Sequence, residues 1–202
     1  MATLLRAPSG KSEFARLAPR IRTIGAHRLV RVSRYDSGEP FFGHSAANRF
    51  DDPARRFGTC YLGFDVLTAV AETVLHDEVP VQGRFKVAQR DFEGRQIVRF
   101  PGGGILRLAN FTGTALKALV GDGSISTMSP YDPPQQWAAA LHAHPARVDG
   151  IYYVSRHLND RKAVVVFDRA RAQLGTACYE PMWQWRGLRR RRHTLHIDYA
   201  AP

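Results

Sequence analysis

The chain has 202 residues, 44% of them hydrophobic and 23% charged, a balance that suits one soluble domain able to bury a core without disulfide or metal staples. Its two cysteines, Cys60 and Cys178, are too few and too far apart for a disulfide scaffold or a cysteine metal site, and no run of about 18 apolar residues is present to span a membrane. The net charge of +11 is concentrated near the C-terminus, where RGLRRRRH (186–193) carries five arginines, a segment suited to nucleic acid, an acidic protein surface or phosphorylated small molecules.

Residues 1–26 read as an irregular lead-in with no apolar core of secretory type and one short helical stretch, Ser12 to Leu17, ended by Pro19. Cysteine usage places the chain in a reducing cytoplasm, with Cys60 as a buried thiol. His27 to Ser33 alternates as a strand, with Leu29 and Arg31 on one face and Val30 and Val32 on the other. On pattern alone Arg31 is a solvated edge-strand arginine. Residues 36–51 form a long loop rich in aromatic residues (Phe41, Phe42, Phe50), a composition common in binding loops. It contains Arg49 in NRFDDP and closes on the Asp52-Pro53 turn.

TCYLGFDVLTAVAETVLHD (59–77) follows: a strand bearing Tyr61, a turn at Gly63, and a helix from about Asp65. Val66, Leu67, Val70, Ala71, Val74 and Leu75 make one apolar stripe. Glu72 falls almost opposite it, beside Thr68, Ala69 and His76. By pattern that is an exposed surface glutamate; the sharper reading is that this face is open because a ligand cleft lies over it.

Two strands are expected around Gly83 to Val87 and Gln96 to Phe100, with Arg95 and Arg99 in solvent. Pro101-Gly102-Gly103-Gly104 lacks the Gly-Lys-Ser/Thr ending of a phosphate-binding loop and reads as a turn. A short apolar stretch (105–108), a weak helix (112–119) ending at Gly121, a loop (124–134) and a good helix (134–144) come next, the last with Trp137, Ala140 and Leu141 inward. His142 and His144 are two apart and do not share a helix face, so they make no metal pair. After Asp149-Gly150, IYYVSRH is a strand with Ile151, Tyr153 and Ser155 on one face. Ser155 at its end suits either a ligand contact or a local backbone bond. KAVVVFD (162–168) is a core strand, and His193 to Tyr199 forms a last one. Strands outnumber helices without regular interleaving, so the fold class is α+β: one domain with a mixed, mainly antiparallel sheet and flanking helices.

In this order the motifs resemble the RES-domain family, the toxin half of the bacterial Xre–RES toxin–antitoxin systems. LVRVSR matches the family's opening strand and gives Arg31. NRFDDP with FGTCYL matches its loop arginine and tyrosine-bearing strand and gives Arg49 and Tyr61. AVAETVLHD gives Glu72, and DGIYYVSRHLND with AVVVFD gives Ser155. Two positions depart from the pattern: Asn48 stands in place of a glycine and Phe50 in place of a tryptophan. The resemblance divides the chain into the lead-in (1–26) and a RES domain (27–202) that includes the arginine-rich segment.

The resemblance implies an ADP-ribosyltransferase-like fold and an enzyme that cleaves the nicotinamide–ribose bond of NAD⁺, with water or phosphate as acceptor. NAD⁺ is then a substrate, with no metal and no permanently bound cofactor. Glu72 would stabilise the positive charge that builds on the ribose. Arg31, with Arg49 as a second contact, would hold the pyrophosphate. Tyr61 would stack on nicotinamide or ribose, and Ser155 would hold a phosphate or ribose oxygen. The implied partner is an antitoxin with a helix-turn-helix domain, through which alone DNA is met; no membrane is involved and self-association is left open. The competing readings are transfer of ADP-ribose to a protein, as some relatives do, and a nucleic-acid-binding module using residues 186–193.

Overall fold

Ten strands order residues 5–200, the part of the chain described by a computed structural model. They are β1 (Ile21–Gly25), β2 (Val30–Ser33), β3 (Thr59–Gly63), β4 (Phe85–Val87), β5 (Gln96–Arg99), β6 (Ile105–Phe111), β7 (Gly150–Val154), β8 (Lys162–Phe167), β9 (Cys178–Pro181) and β10 (Ile197–Tyr199). Eight of them form one sheet in the order β1-β6-β7-β8-β3-β2-β5-β9. Only β6 and β7 pair in parallel within it. β10 and β4 make a separate parallel pair. The helices are α1 (Lys11–Phe14), α2 (Val66–Ala71), α3 (Arg90–Glu93), α4 (Gly113–Leu119), α5 (Asp132–Ala143), α6 (Arg171–Leu174) and α7 (Leu188–Thr194). The fold is thus α+β with a mainly antiparallel sheet. No helix among the described residues is long and apolar enough to cross a membrane.

The sheet's centre follows from the apolar run in β8. Ala163 to Phe167 are each at most 1% exposed, because both faces of the strand are covered, as a continuous β-branched run requires. Val165 and Phe167 face one cluster with Phe50, Phe111, Trp137 and Leu141. Val164 and Val166 face the other with Leu29, Leu62, Phe100 and Leu108, as the two-residue period dictates. A third cluster joins α2 to β2, β5 and α7 through Val66, Val70, Ile97, Leu188 and Leu195. The parallel β6–β7 pair needs a long crossover, and α4 and α5 supply it. Helix α5 opens with Pro133 and Pro134 in its first turn, where the missing N–H is no loss. It buries Trp137, Ala138 and Leu141, while Ala140 is only half-buried.

Several local expectations change. The lead-in contains β1, which pairs along β6 from Ile21↔Ala109 to Gly25↔Ile105. Its own pattern is weak, since Ile21 is exposed and Ile24 buried; backbone pairing, not alternation, makes it a strand. The short helix spans Lys11–Phe14 with Gly10 as its cap. Arg95 is buried, with Nε donating to the Asp91 carbonyl at 2.6 Å. Arg99 pairs with Glu180 at 2.8 Å. The segment from His193 to Tyr199 is half helix: α7 carries the arginines, which are good helix formers, and buries Leu188, with only Ile197–Tyr199 extended.

Gly150 occupies the tightest point of the central sheet, where a Cβ would lie 2.0 Å from the Val165 carbonyl oxygen. Gly150→Ala must push β7 off β8, so we expect stability to fall by about 3 kcal/mol or more, at the upper end of overpacking costs. A drop in the urea midpoint at unchanged slope checks this.

Candidate active site

A cleft of about 300 Å³ opens between β2, β3, α2, the end of β7 and the loop before β3. Its carboxylate is placed by a short chain of local causes. Asp65 caps α2, its carboxylate accepting from Thr68 N at 2.8 Å and Thr68 Oγ1 at 3.1 Å, and Arg161 Nη1 holds the other oxygen at 2.7 Å. Gly63 lets the helix turn back tightly on β3, since a Cβ there would meet Thr68 Cβ and Ala69 N at 3.0 Å. All six residues of α2 are buried. The helix stops at Ala71, and Glu72 is its C-cap, one turn earlier than the apolar stripe implies. Val74 and Leu75 still reach the core from the following turn. Glu72, Ala69, Thr73 and His76 line the cleft. Thr68 is instead fully buried and does not share the open face.

Glu72 is held in place by Ser155, whose Oγ donates to Glu72 Oε1 in a short hydrogen bond. Ser155 is fully buried. Its Oγ also accepts from Leu158 N at 3.1 Å, and its own N–H donates to the Arg161 carbonyl at 3.0 Å. Ser155, expected to hold a ligand oxygen, here bonds one carboxylate oxygen of Glu72, leaving Oε2 without a protein partner among the described residues. The cause is the fold of the turn from 155 to 161, which closes over the end of β7.

Arg31 lines the cleft from β2 and is 22% exposed. Its Nε donates to Glu39 Oε1 at 2.9 Å, and its Nη1 to the Tyr61 carbonyl at 3.2 Å. Burial alone would lower its pKa, but Cys60 and Glu39 together outweigh that and raise it, so the guanidinium stays charged. With Nε on Glu39 and Nη1 on the Tyr61 carbonyl and Cys60 Sγ, Arg31 has Nη2 without a protein partner among the described residues. Beside it the Cys60 thiol is pushed up to about 11 by burial, an inert core thiol. Arg49 is also a cleft residue, 7% exposed. Its Nη1 donates to the Met128 carbonyl at 2.6 Å, and its guanidinium lies 4.8 Å from the centre of the Tyr131 ring.

Tyr61 presents its ring to the cleft, but its hydroxyl is used elsewhere. Oη accepts from Phe50 N at 2.8 Å and donates to Asp51 Oδ1 at 3.2 Å. Burial, then the Asp51 charge, push its pKa well above 10, so it stays a neutral phenol. The hydroxyl anchors the loop to β3, and the ring is left to meet a ligand.

The pattern reading missed three residues. Asp51 is 1% exposed and accepts from five donors: Thr59 Oγ1 (2.5 Å), Tyr61 Oη (3.2 Å), Ser45 Oγ (2.9 Å), Asn48 N (3.1 Å) and Asn48 Nδ2 (3.0 Å). It ties the loop that carries Arg49 to β3. Glu39, whose carboxylate is fully buried, holds Arg31 and accepts from Phe41 N at 2.7 Å. Tyr153 lines the cleft and is 3% exposed, kept neutral by burial and by the nearby Glu72 charge. It shares a strand face with Ser155, the one signal that could have found it. The two acids carry no such signal, because their roles depend on partners remote in the chain.

A family model described as the RES domain matches residues 26–186. Among solved structures, a chain of the M. tuberculosis MbcT–MbcA toxin–antitoxin complex has a similar fold. The TM-score is 0.56 at 14% identity, with 80% of this chain and 88% of that chain covered. No curated protein sequence matches the chain.

Asp51→Ala would strand the buried Thr59 hydroxyl and the Tyr61 phenol and release the loop bonds to Ser45 and Asn48 at once. We expect a loss of about 3–5 kcal/mol, the scale of breaking a buried charged network, measured by chemical denaturation. Tyr61→Phe, which leaves Asp51 four donors, should lose only about 1 kcal/mol.

Proposed function

The chain belongs to the RES-domain family, and from that premise we propose that it is the toxin of a bacterial toxin–antitoxin pair and destroys NAD⁺ by breaking the nicotinamide–ribose bond. The observation that carries this reading is a cleft in which Ser155 fixes one carboxylate, Glu72, among three guanidinium groups (Arg31, Arg49 and Arg156) and the rings of Tyr61, Tyr131 and Tyr153, with Asp77 as the other acid lining it. Cations without a matching count of anions suit a pyrophosphate. An oriented carboxylate suits a reaction that builds positive charge.

In this mechanism Nη2 of Arg31 and the unbonded nitrogens of Arg49 take the pyrophosphate oxygens. The rings of Tyr61 and Tyr153 pack against the nicotinamide–ribose end. The glycosidic bond breaks with its electron pair leaving on the nicotinamide nitrogen, so nicotinamide departs neutral and the ribose becomes oxocarbenium-like. Oε2 of Glu72 hydrogen-bonds a ribose hydroxyl and opposes that charge. Ser155, holding Oε1, keeps the carboxylate from rotating away; this is positioning, not nucleophilic attack. Water or phosphate then adds an oxygen to the anomeric carbon and gives up a proton to solvent. An antitoxin with a helix-turn-helix domain is the partner this reading implies, and the MbcT–MbcA toxin–antitoxin pairing of the structural neighbour supports an antitoxin partner.

Glu72→Gln keeps the size and the Ser155 contact but removes the charge. Nicotinamide release from NAD⁺ by this variant should fall about 10²–10³-fold, the scale of one electrostatic stabiliser, with an unchanged melting temperature. Undiminished release would refute the role of Glu72. Label from adenine-labelled NAD⁺ should appear in free ADP-ribose or its 1-phosphate; label on protein would favour ADP-ribosyl transfer instead.

A further inference from the structure

The arginine-rich segment is not absorbed by the cleft. In and just before α7 it builds one wall of a second concavity of about 660 Å³, whose other wall comes from Arg84, the residue before β4, and from Ile197 and Asp198 of β10. Arg84, Arg186, Arg189, Arg190, Arg192 and His193 line it, and it shares no residue with the first cleft. The one acidic residue in it, Asp198, is already engaged: it accepts from Arg84 at 2.6 Å through both oxygens and from Lys86 at 3.1 Å. Arg186, Arg189, Arg190 and Arg192 have no carboxylate partner among the described residues.

The scaffold beneath them is fixed. Leu188, Leu195 and Ile197 are buried in the cluster that also holds α2. Arg192 lies flat on the Tyr199 ring at 3.7 Å, with its Nε buried and unpaired. A buried unpaired donor calls for a partner that a bound group could supply or order. Four guanidinium groups within seven residues with no carboxylate among them repel one another, a cost that a bound anion would relieve.

We propose that this concavity is a second anion site that takes a condensed phosphate, a chain of two or more linked phosphates either free or as the tail of a nucleoside polyphosphate. Guanidinium forks match phosphate oxygens in geometry and charge. The volume is that of a small-molecule pocket, and the unpaired arginines are gathered on one wall of it, which suits a compact polyanion better than an extended strand. The proposal is independent of the activity assigned to the Glu72 cleft.

The test is calorimetric titration of the full chain with tripolyphosphate, ATP, inorganic phosphate and a mixed-sequence single-stranded oligonucleotide. Tripolyphosphate should bind saturably at the arginine concavity, read as the part of its binding lost in the double alanine variant at Arg189 and Arg190 because the Glu72 cleft can also take it, with inorganic phosphate at least about tenfold weaker there. Arg189→Ala with Arg190→Ala should weaken tripolyphosphate at least about tenfold, and the corresponding double lysine variant should weaken it less. ATP can also enter the Glu72 cleft, so only the part of its binding lost in the alanine variant counts. That part exceeding the tripolyphosphate affinity identifies a nucleoside tail, and matching it identifies the free chain. Nicotinamide release should be the same in all these proteins. No saturable tripolyphosphate binding, undiminished binding in the alanine variant, or an oligonucleotide that binds more tightly than tripolyphosphate would each overturn the proposal.

Discussion

The hydrogen bond from Ser155 to Glu72 joins the residue just after β7 to the end of α2, two points 83 residues apart in the chain. Much of the surrounding architecture can be understood as what makes this one contact possible. Asp65 caps α2 and is itself held by Arg161, at the far end of the turn that Ser155 begins. Gly63 allows the helix to sit close on β3. β7 and β3 are kept in register by β8, which lies between them and pairs with both. A glutamate at a helix end would otherwise have several rotamers open to it. Here one carboxylate oxygen is bound from behind and the other faces the cleft.

The buried charges around the cleft follow a similar logic. Glu39 holds Arg31, and Asp51 holds the loop that presents Arg49. Each acid is desolvated and satisfied by several donors, the condition under which burying a charge is tolerated. The functional cations are thereby oriented, though part of each guanidinium is used up internally. The C-terminal arginines contrast with this. They sit on the rim of their own concavity with no carboxylate to orient them, which is why they belong to a different site.

Much of this was legible in the sequence. The apolar run of β8, the alternation of β2, and the strand–glycine–helix passage around Gly63 each carry their periodicity in a few adjacent residues. Arg31, Arg49, Tyr61 and Glu72 do line one cleft. What was not legible depends on distant partners. β1 is a strand because β6 offers it an edge. The Tyr61 hydroxyl serves the loop because Asp51 lies within reach. Ser155 is hidden because the turn to β8 folds over it. None of these leaves a mark on the local pattern, and Asp51 reads as one more acidic loop residue until its five donors are seen.

The most direct test of the account is the rate of nicotinamide release from NAD⁺ by Ser155→Ala, compared with the unaltered protein. A serine that only positions Glu72 should lower kcat about 10–100-fold while leaving KM nearly unchanged, the pattern of a lost transition-state interaction. A raised KM at unchanged kcat would place Ser155 on the substrate itself. An unchanged rate, or no nicotinamide release by the unaltered protein, would contradict the central claim that a Ser155-held Glu72 breaks this bond.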